Sequence, residues 1–168
     1  MAGLKGMFWN SQGIRDPAKH DFIQETVREQ RLDFIALSET GRSNFSTHFL
    51  NRLAAGLDFA WYILPPHGRS GGMLVGFNRS TLQVKNVNMG DYSIKFHIRS
   101  LRDRFEWVLG PVYGAAQEEK KSEFLSKLVR MCSTKSLPML VGEILIFFER
   151  KKKRIMIILI RDGPSCLT

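Results

Sequence analysis

The amino-acid sequence predicts a layered α/β or α+β sandwich. Short apolar segments typical of strands alternate along the chain with segments that carry apolar residues at helical spacing. Polar residues and glycines separate these segments, and neither an internal repeat nor a flexible linker divides the chain. With 168 residues the chain is long enough to bury one hydrophobic core. Strands and helices mixed in this order pack as layers around such a core, which gives the predicted fold class.

The first strand, the first helix and the second strand are predicted from the start of the chain. Residues 4–9 are mostly apolar and precede the turn composition Asn-Ser-Gln-Gly at residues 10–13. Asp16-Pro17 predicts a helix start, because aspartate caps free amide groups and proline fits the first helical position. We expect this helix to end near Arg31. The run Asp-Phe-Ile-Ala-Leu at residues 33–37 then predicts a strand that is buried on both faces.

The same alternation continues to residue 142. Alternating apolar and polar residues over 92–98 predict a half-exposed antiparallel strand. Phe124, Leu125 and Leu128 belong to the apolar stripe of a late helix. The remaining predicted elements are a helix over 46–55, strands over 61–64, 73–77, 105–112 and 137–141, and a helix over 118–132.

The charge and composition of the chain indicate which binding partners and which cellular compartment to expect. The formal net charge is +9, and residues 143–168 contribute only six basic residues against three acidic ones. The basic balance therefore extends to residues 1–142 and permits nucleic acid as a partner. No apolar run approaches the roughly 20 residues that span a bilayer, and no signal-peptide core is present, so we expect no membrane contact. Two cysteines form no disulfide framework, which favours a reducing, intracellular compartment.

Three polar side chains directly follow or end predicted buried strands: Asn10, Glu39 and Tyr113. Functional side chains often lie at strand ends, because the sheet is rigid there and the following loops can vary. A carboxylate and a carboxamide at neighbouring strand ends offer the oxygen ligands that Mg²⁺ prefers, and a metal so held can polarise a phosphoryl oxygen. Each residue also has a plain structural interpretation, as a turn asparagine, a solvated loop glutamate and a core tyrosine.

Taken in order, five stretches of the chain resemble one known superfamily. FWNSQGI, DFIALSET, GRSGGMLVGFN, GPVYG and LPMLVG, within residues 4–142, are similar to the endonuclease/exonuclease/phosphatase superfamily. The similarity is greatest to the endonuclease domain of plant-type non-LTR (LINE-like) retrotransposons. The resemblance implies the N-terminal portion of a four-layer DNase I-like sandwich, incomplete at its C-terminal side. It implies hydrolysis of a DNA phosphodiester, with DNA as the partner and a nuclear location if the protein functions.

The resemblance also assigns roles to the candidate residues. Asn10 and Glu39 take the metal-site positions, with Glu39 as the principal ligand of Mg²⁺ and Mn²⁺ as the alternative ion. Tyr113 takes the position that contacts the scissile phosphate. Ser70-Gly71-Gly72 matches a small-residue turn, where glycine permits positive φ. No specific protein partner follows from the sequence.

The chain departs from this superfamily in two places. A Gly-Asp-Phe-Asn motif is expected directly after the strand over 137–141, and an aspartate and a histidine are expected much later; both are missing. All four histidines precede that point, and His20 and His97 are interpreted as solvated surface residues. We therefore expect an inactive remnant. Two alternatives remain: a non-catalytic nucleic-acid-binding fragment, and another phosphoesterase of the superfamily that acts on phosphoinositides or sphingolipids.

The segment 143–168 has no family resemblance, so the chain divides into a partial domain over 1–142 and a tail. The stretch from Gly142 onward can be reverse-translated with degenerate codons and then read in a frame shifted by one nucleotide. The shifted frame allows Gly-Asp-Phe-Asn at the expected place. The same shifted frame admits a second familiar stretch of these elements near the end. We interpret the tail as an out-of-frame translation, in which the lysine run at 150–154 comes from A-rich codons. We expect few buried contacts between this tail and the domain, and a helix or irregular chain.

Overall fold

The computed structural model describes residues 3–67, 71–90, 93–113, 121–132, 137–144 and 155–160. The predictions for Ser70, for residue 92, for 118–120 and for most of the tail lie outside this described part. The described residues form β1 (Leu4–Asn10), α1 (Pro17–Gln30), β2 (Phe34–Ser38), α2 (Thr47–Leu53), β3 (Phe59–Leu64), β4 (Met73–Asn78), β5 (Leu82–Met89), β6 (Ile94–Ser100), β7 (Glu106–Tyr113), α3 (Lys121–Cys132), β8 (Met139–Ile144) and β9 (Ile155–Ile160).

The strands form two mixed sheets. The first sheet has the order β3-β4-β2-β1-β9, and the second has the order β5-β6-β7-β8. Each sheet contains one parallel pair, β1–β2 in the first and β7–β8 in the second, and its other neighbours are antiparallel. Two sheets packed with helices confirm the predicted layered α/β class.

Two apolar clusters hold the layers together. One lies between the sheets and includes Phe8, Phe34, Phe77, Phe96 and Trp107. The other includes Met7 and Ile35 from the first sheet, with residues of α1 and α2. Successive side chains of a strand point to opposite faces, so neighbouring residues of β1 enter different clusters. Both β1 and β2 are therefore buried on two faces, as the apolar run over 33–37 predicted for β2.

The start and the end of α1 follow the sequence signals. The side chain of Asp16 accepts a hydrogen bond from the amide of Ala18, and Pro17 occupies the first turn. The helix stops at Arg31, whose φ of 51° is left-handed and whose amide bonds back to the carbonyl of Val27. The predicted bounds of this helix are confirmed. No helix in the described ranges is long and apolar enough to cross a membrane.

One strand was not predicted from the sequence, and one expectation about the tail is wrong. The segment 82–89 was not predicted, yet it forms β5 at the edge of the second sheet. Its lysine and asparagines have low strand propensity and face water, so its pattern is weak. The tail was expected to form a helix or irregular chain, yet residues 155–160 form β9 and pair antiparallel with β1 from Leu4 to Trp9. Six successive apolar residues favour a strand, and β1 has backbone groups on that side that need partners.

Candidate functional site

The parallel pairing of β1 and β2 brings two of the predicted residues together. Asn10 lies opposite Ser38 in the register, and Glu39 follows Ser38 directly. Parallel strands end at the same edge of a sheet, so Asn10 and Glu39 lie side by side there. Both residues are half-buried. The sequence predicts that Asn10, Glu39 and Tyr113 converge on one edge, and the backbone places the first two of them side by side.

The loops after β1 and β2 continue to bond to one another beyond the strands. Backbone amides of the first loop donate to carbonyls of the second, from Ser11 to Ser38 at 3.0 Å and from Gly13 to Glu39 at 2.6 Å. The hydroxyl of Ser11 also donates to the carbonyls of Ser38 at 2.8 Å and of Glu39 at 3.2 Å. The backbone of Glu39 is therefore fixed from the side of β1.

Glu39 adopts an unusual backbone conformation. Its φ is 51°, in the left-handed region that non-glycine residues seldom occupy. Such a conformation costs on the order of 1–3 kcal/mol and persists only where the surroundings enforce it. Hydrogen bonds on both sides hold this backbone, from the amide of Gly13 to the carbonyl of Glu39 at 2.6 Å and from the amide of Gly41 to the carbonyl of Gly71 at 2.7 Å. Gly71 packs so closely that an added Cβ would lie 2.6 Å from the Cα of Glu39. The sequence predicted positive φ in this turn, which Gly72 shows at 77°, but the close approach of Gly71 to Glu39 was not foreseen.

Lys19 holds the loop that follows Asn10. Its Nζ donates to three successive carbonyls, of Ser11 at 2.6 Å, Gln12 at 3.2 Å and Gly13 at 2.8 Å. Sequence analysis missed this residue, although a signal was present. A lysine in the first turn of a helix is unfavourable next to the positive end of the helix dipole, so it needs compensating acceptors. The three carbonyls provide them and tie α1 to the loop.

Asn10 stabilises the same loop through its side chain. Its Oδ1 accepts a hydrogen bond from the amide of Gln12 at 3.1 Å, which closes a short turn. A carboxamide oxygen has two lone pairs, so one remains for a further interaction. This oxygen and the Glu39 carboxylate are of the chemical type that a hard cation retaining several waters prefers, and their joint binding of one ion stays a prediction. The described residues contain no group of three His, Cys, Asp or Glu side chains suited to a metal.

Tyr113 lies on the other sheet. It is the last residue of β7 and pairs in register with Ile144 of β8. Its side chain lies outside what the structure describes, so its convergence with Asn10 and Glu39 stays a prediction. The strand β1 contacts β8 across the two sheets, which brings the parallel pairs of both sheets near one another.

Neither histidine interpreted as solvated proves to be so. His20 is 8% exposed, and its Nε2 lies 2.6 Å from the carbonyl of Ile14. It faces inward because it sits one turn before Ile23 on the buried side of α1. His97 is partly buried, and its Nε2 lies 2.7 Å from Oε2 of Glu106.

A cluster of charged side chains lies on the second sheet and is separate from Asn10 and Glu39. The Glu106 carboxylate accepts hydrogen bonds from Arg99, and it pairs with His97 and Lys85. The Arg99 guanidinium, with His97 and Lys85, lowers the pKa of Glu106 from 4.5 to about 2. Glu106 ties β7 to both β6 and β5, so this cluster stabilises the sheet.

The two facing sheets define a layered α/β domain. Its polar strand-end site has candidate metal-ligating oxygens at the carboxyl ends of a central parallel pair. A family model described as Endonuclease/Exonuclease/phosphatase family matches residues 7–142. The chain belongs to this family. Members of the family generally depend on divalent metals. A comparison with curated protein sequences gave no match.

Solved structures of the family share the fold. The human Nocturnin catalytic domain with bound sulfate anion has a TM-score of 0.63 at 12% identity, covering 84% of this chain and 63% of that chain. The mannosyl-6-phosphatase Bt3783 of Bacteroides thetaiotaomicron VPI-5482 has a TM-score of 0.60 at 12% identity, covering 83% and 64%. A humanized D. rerio TDP2 has a TM-score of 0.63 at 8% identity, covering 85% and 65%.

These likenesses confirm the DNase I-like fold class. The chain spans less than two thirds of the length of each of these three structures, which agrees with an incomplete domain.

Proposed function

We propose that the chain derives from a DNA endonuclease domain of the plant-type non-LTR retrotransposon class. The ancestral reaction is Mg²⁺-dependent hydrolysis of a DNA phosphodiester. The observation that carries this proposal is the shared edge of Asn10 and Glu39, where both loops are braced by Ser11 and Gly71. The choice of DNA rests on the resemblance of FWNSQGI and LSET to that endonuclease class.

The chain's own residues would divide the work of holding a metal and a phosphate. Glu39 would be the principal ligand of Mg²⁺, or of Mn²⁺ in its place, and Asn10 would supply a second oxygen. When bound, the ion would stabilise charge on the phosphoryl oxygens and on the leaving oxygen. The hydroxyl of Tyr113 would donate to a phosphate oxygen. Lys19 would act indirectly, by fixing the loop that orients Asn10.

We further propose that this 168-residue chain does not cleave DNA. Phosphodiester hydrolysis needs a positioned nucleophile and a proton acceptor in addition to the metal. The expected Asp-Asn motif after Gly142 and the distal Asp-His pair are absent from the sequence. Losing one member of a catalytic unit can cost almost as much activity as losing all of it. An out-of-frame origin of residues 143–168 would account for the loss.

The test is nicking of supercoiled plasmid in the presence of Mg²⁺ or Mn²⁺. The chain as it stands should give no nicking above background. A version with the shifted frame and the missing downstream residues restored should nick, and Glu39→Ala in that version should abolish the activity. Robust nicking by the 168-residue chain, removed by Glu39→Ala, would overturn the proposed inactivity. A repaired chain that leaves plasmid intact would overturn the proposed endonuclease origin.

Parallel assays distinguish two other candidate functions from the proposed endonuclease origin. The likeness to a mannosyl-6-phosphatase favours a small-molecule phosphoesterase as an alternative. Metal-dependent, Glu39-dependent release of nitrophenol from p-nitrophenyl phosphate, without plasmid nicking, would select it. The basic net charge favours a non-catalytic DNA-binding fragment. Fluorescence anisotropy with labelled duplex DNA would then show binding that weakens steeply with salt and is unchanged by Glu39→Ala.

A further inference from the structure

A cavity of about 500 Å³ lies at the end of the first sheet opposite to Asn10 and Glu39. It opens where β1 and β2 begin, between the last turn of α1 and the turn that joins β4 to β5. The seven residues of β1 separate it from the candidate site by roughly 20 Å, at about 3.3 Å per residue. Its volume lies within the roughly 300–1,000 Å³ range of small-molecule pockets.

The walls of the cavity combine an apolar surface with a cationic rim. Val27 and Leu32 lie beneath its floor and are fully buried, so its accessible apolar surface comes from Leu57, which is 43% exposed, and from the partly buried Ala55. A large exposed leucine beside a cavity is apolar surface that a ligand can cover. The cations around it come from separate segments of the chain: Lys5, Arg28, Arg31 and Arg102.

One carboxylate opposes these cations, and it already has a structural partner. Asp33 is 8% exposed, and its Oδ2 accepts a hydrogen bond from the backbone amide of Lys5 at 2.7 Å. Its own amide donates to the carbonyl of Lys5 at 2.7 Å. Asp33 thus fastens the start of β2 to β1. Among the described residues that line the cavity, Lys5, Arg28 and Arg31 carry three positive charges against this one carboxylate.

The dipole of α1 explains the presence of only some of the positively charged residues at the rim. Arg28 and Arg31 lie at the C-terminal end of α1, where a cation is favourable without any ligand. Lys5 lies on β1 instead, and Arg102 lies in the turn between β6 and β7. That turn is held at the cavity by a hydrogen bond from the amide of Leu101 to the carbonyl of Thr81. Helix capping therefore accounts for two of these cations and leaves Lys5 and Arg102 without that explanation.

We propose that this cavity binds an aromatic phosphate ester of the nucleotide class. Guanidinium groups bind phosphate oxygens in pairs and also stack on planar rings. The apolar wall formed by Ala55 and Leu57 would cover the ring, and the rim would neutralise the phosphate. The same chemistry would accept either a free nucleotide or the 5′-phosphorylated end of a strand. The site needs neither Glu39 nor a metal.

The experiment is isothermal titration calorimetry of the full chain with AMP, in buffer containing EDTA. Arg28→Gln combined with Arg31→Gly should weaken AMP binding about tenfold or more, because two charge-assisted contacts are lost. Glycine suits the left-handed backbone of residue 31, so the fold should survive, and far-UV circular dichroism checks this. Glu39→Ala should bind AMP like the parent chain. Lys127→Gln, which removes one positive charge from α3, should do the same.

The proposal would be overturned if AMP gave no heat of binding, or if Lys127→Gln weakened AMP binding as much as the double arginine variant. It would also be overturned if the double arginine variant bound AMP like the parent chain, or if Glu39→Ala lost AMP binding. Inorganic phosphate and adenosine should each bind more weakly than AMP. If inorganic phosphate matched AMP, the apolar wall would have no part in recognition and the proposed ligand class would be wrong. A short oligodeoxynucleotide with and without a 5′-phosphate distinguishes a strand end from a free nucleotide as the source.

Discussion

Replacing Gly6 with alanine tests how closely β1 packs against the core between the sheets. A Cβ at this position would lie 1.9 Å from Cζ of Phe34 and 2.1 Å from its Cε1, far inside ordinary carbon contact of about 3.5–4.0 Å. Phe34 is fully buried. Its ring is surrounded by Phe8, Phe77 and Trp107, with ring centroids 5.7, 6.3 and 5.9 Å away. The ring has no space to move aside without disturbing those neighbours.

The expected cost follows from that overlap. Overpacking a well-filled core costs roughly 1–3 kcal/mol, and the absence of free volume around Phe34 places Gly6→Ala near the upper end. Glycine is itself unfavourable within a strand by roughly 0.5–1 kcal/mol relative to alanine, which offsets part of the loss. We expect a net decrease of about 2 kcal/mol in the free energy of unfolding. For a chain of this size that lowers the melting temperature by about 4–8 °C.

Urea unfolding followed by far-UV circular dichroism measures this change, with Gly76→Ala as the matched control. At Gly76 a Cβ would lie 2.6 Å from the ring of Trp61, but that ring is only partly buried and can swing outward. Gly76→Ala should therefore cost less than about 1 kcal/mol. The double variant Gly6→Ala with Phe34→Leu should lose less stability than the two single variants lose together, by at least about 0.5 kcal/mol. Additive effects, or a Gly6→Ala protein as stable as the parent, would refute the packing argument.

Further predictions concern the loops, the tail and the charge cluster. Gly71→Ala should lower the free energy of unfolding by about 1–3 kcal/mol in urea titrations, because the clash is with backbone of Glu39 and cannot be relieved by rotation. Lys19→Met should cost about 1 kcal/mol and accelerate hydrogen exchange at the amide of Gly13, since the loop carbonyls lose a charged donor. Deleting residues 145–168 should lower stability by more than about 1 kcal/mol in the same titrations, because β1 loses its β9 partner; an unchanged value would support the expectation from sequence. Glu106 has a lowered pKa when folded, so its stabilising effect is present above pH 4.5 and is lost as the pH falls towards about 2. The melting-temperature difference between the parent and Glu106→Gln should accordingly be present at pH 6 and vanish towards pH 2.

The elements that could be predicted from sequence are those whose signals are local. The cap at Asp16-Pro17 fixed the start of α1, and the apolar run before Glu39 identified a strand buried on both faces. Asn10 and Glu39 could be paired because parallel strands end at one edge. The role of Lys19 was missed because it depends on how α1 packs on the preceding loop, and the close approach of Gly71 to Glu39 was missed because those residues are distant in sequence. The edge strand β5 was missed because most of its residues are polar and exposed.

The pairing of β9 with β1 is compatible with the proposal that residues 143–168 were never selected to complete the fold. Ladder hydrogen bonds join backbone groups, so any segment that tolerates an extended conformation can satisfy the open side of β1. A strand with alternating apolar and polar residues has one favoured register, because a slip by one residue exposes its apolar side. The sequence of β9 is Ile-Met-Ile-Ile-Leu-Ile, which is apolar at every position and therefore loses little by such a slip. β9 thus supplies backbone partners to β1, and its own sequence contains no aspartate or histidine. Completion of the sheet and completion of a catalytic site are separate requirements, and the backbone pairing of β9 with β1 bears only on the first.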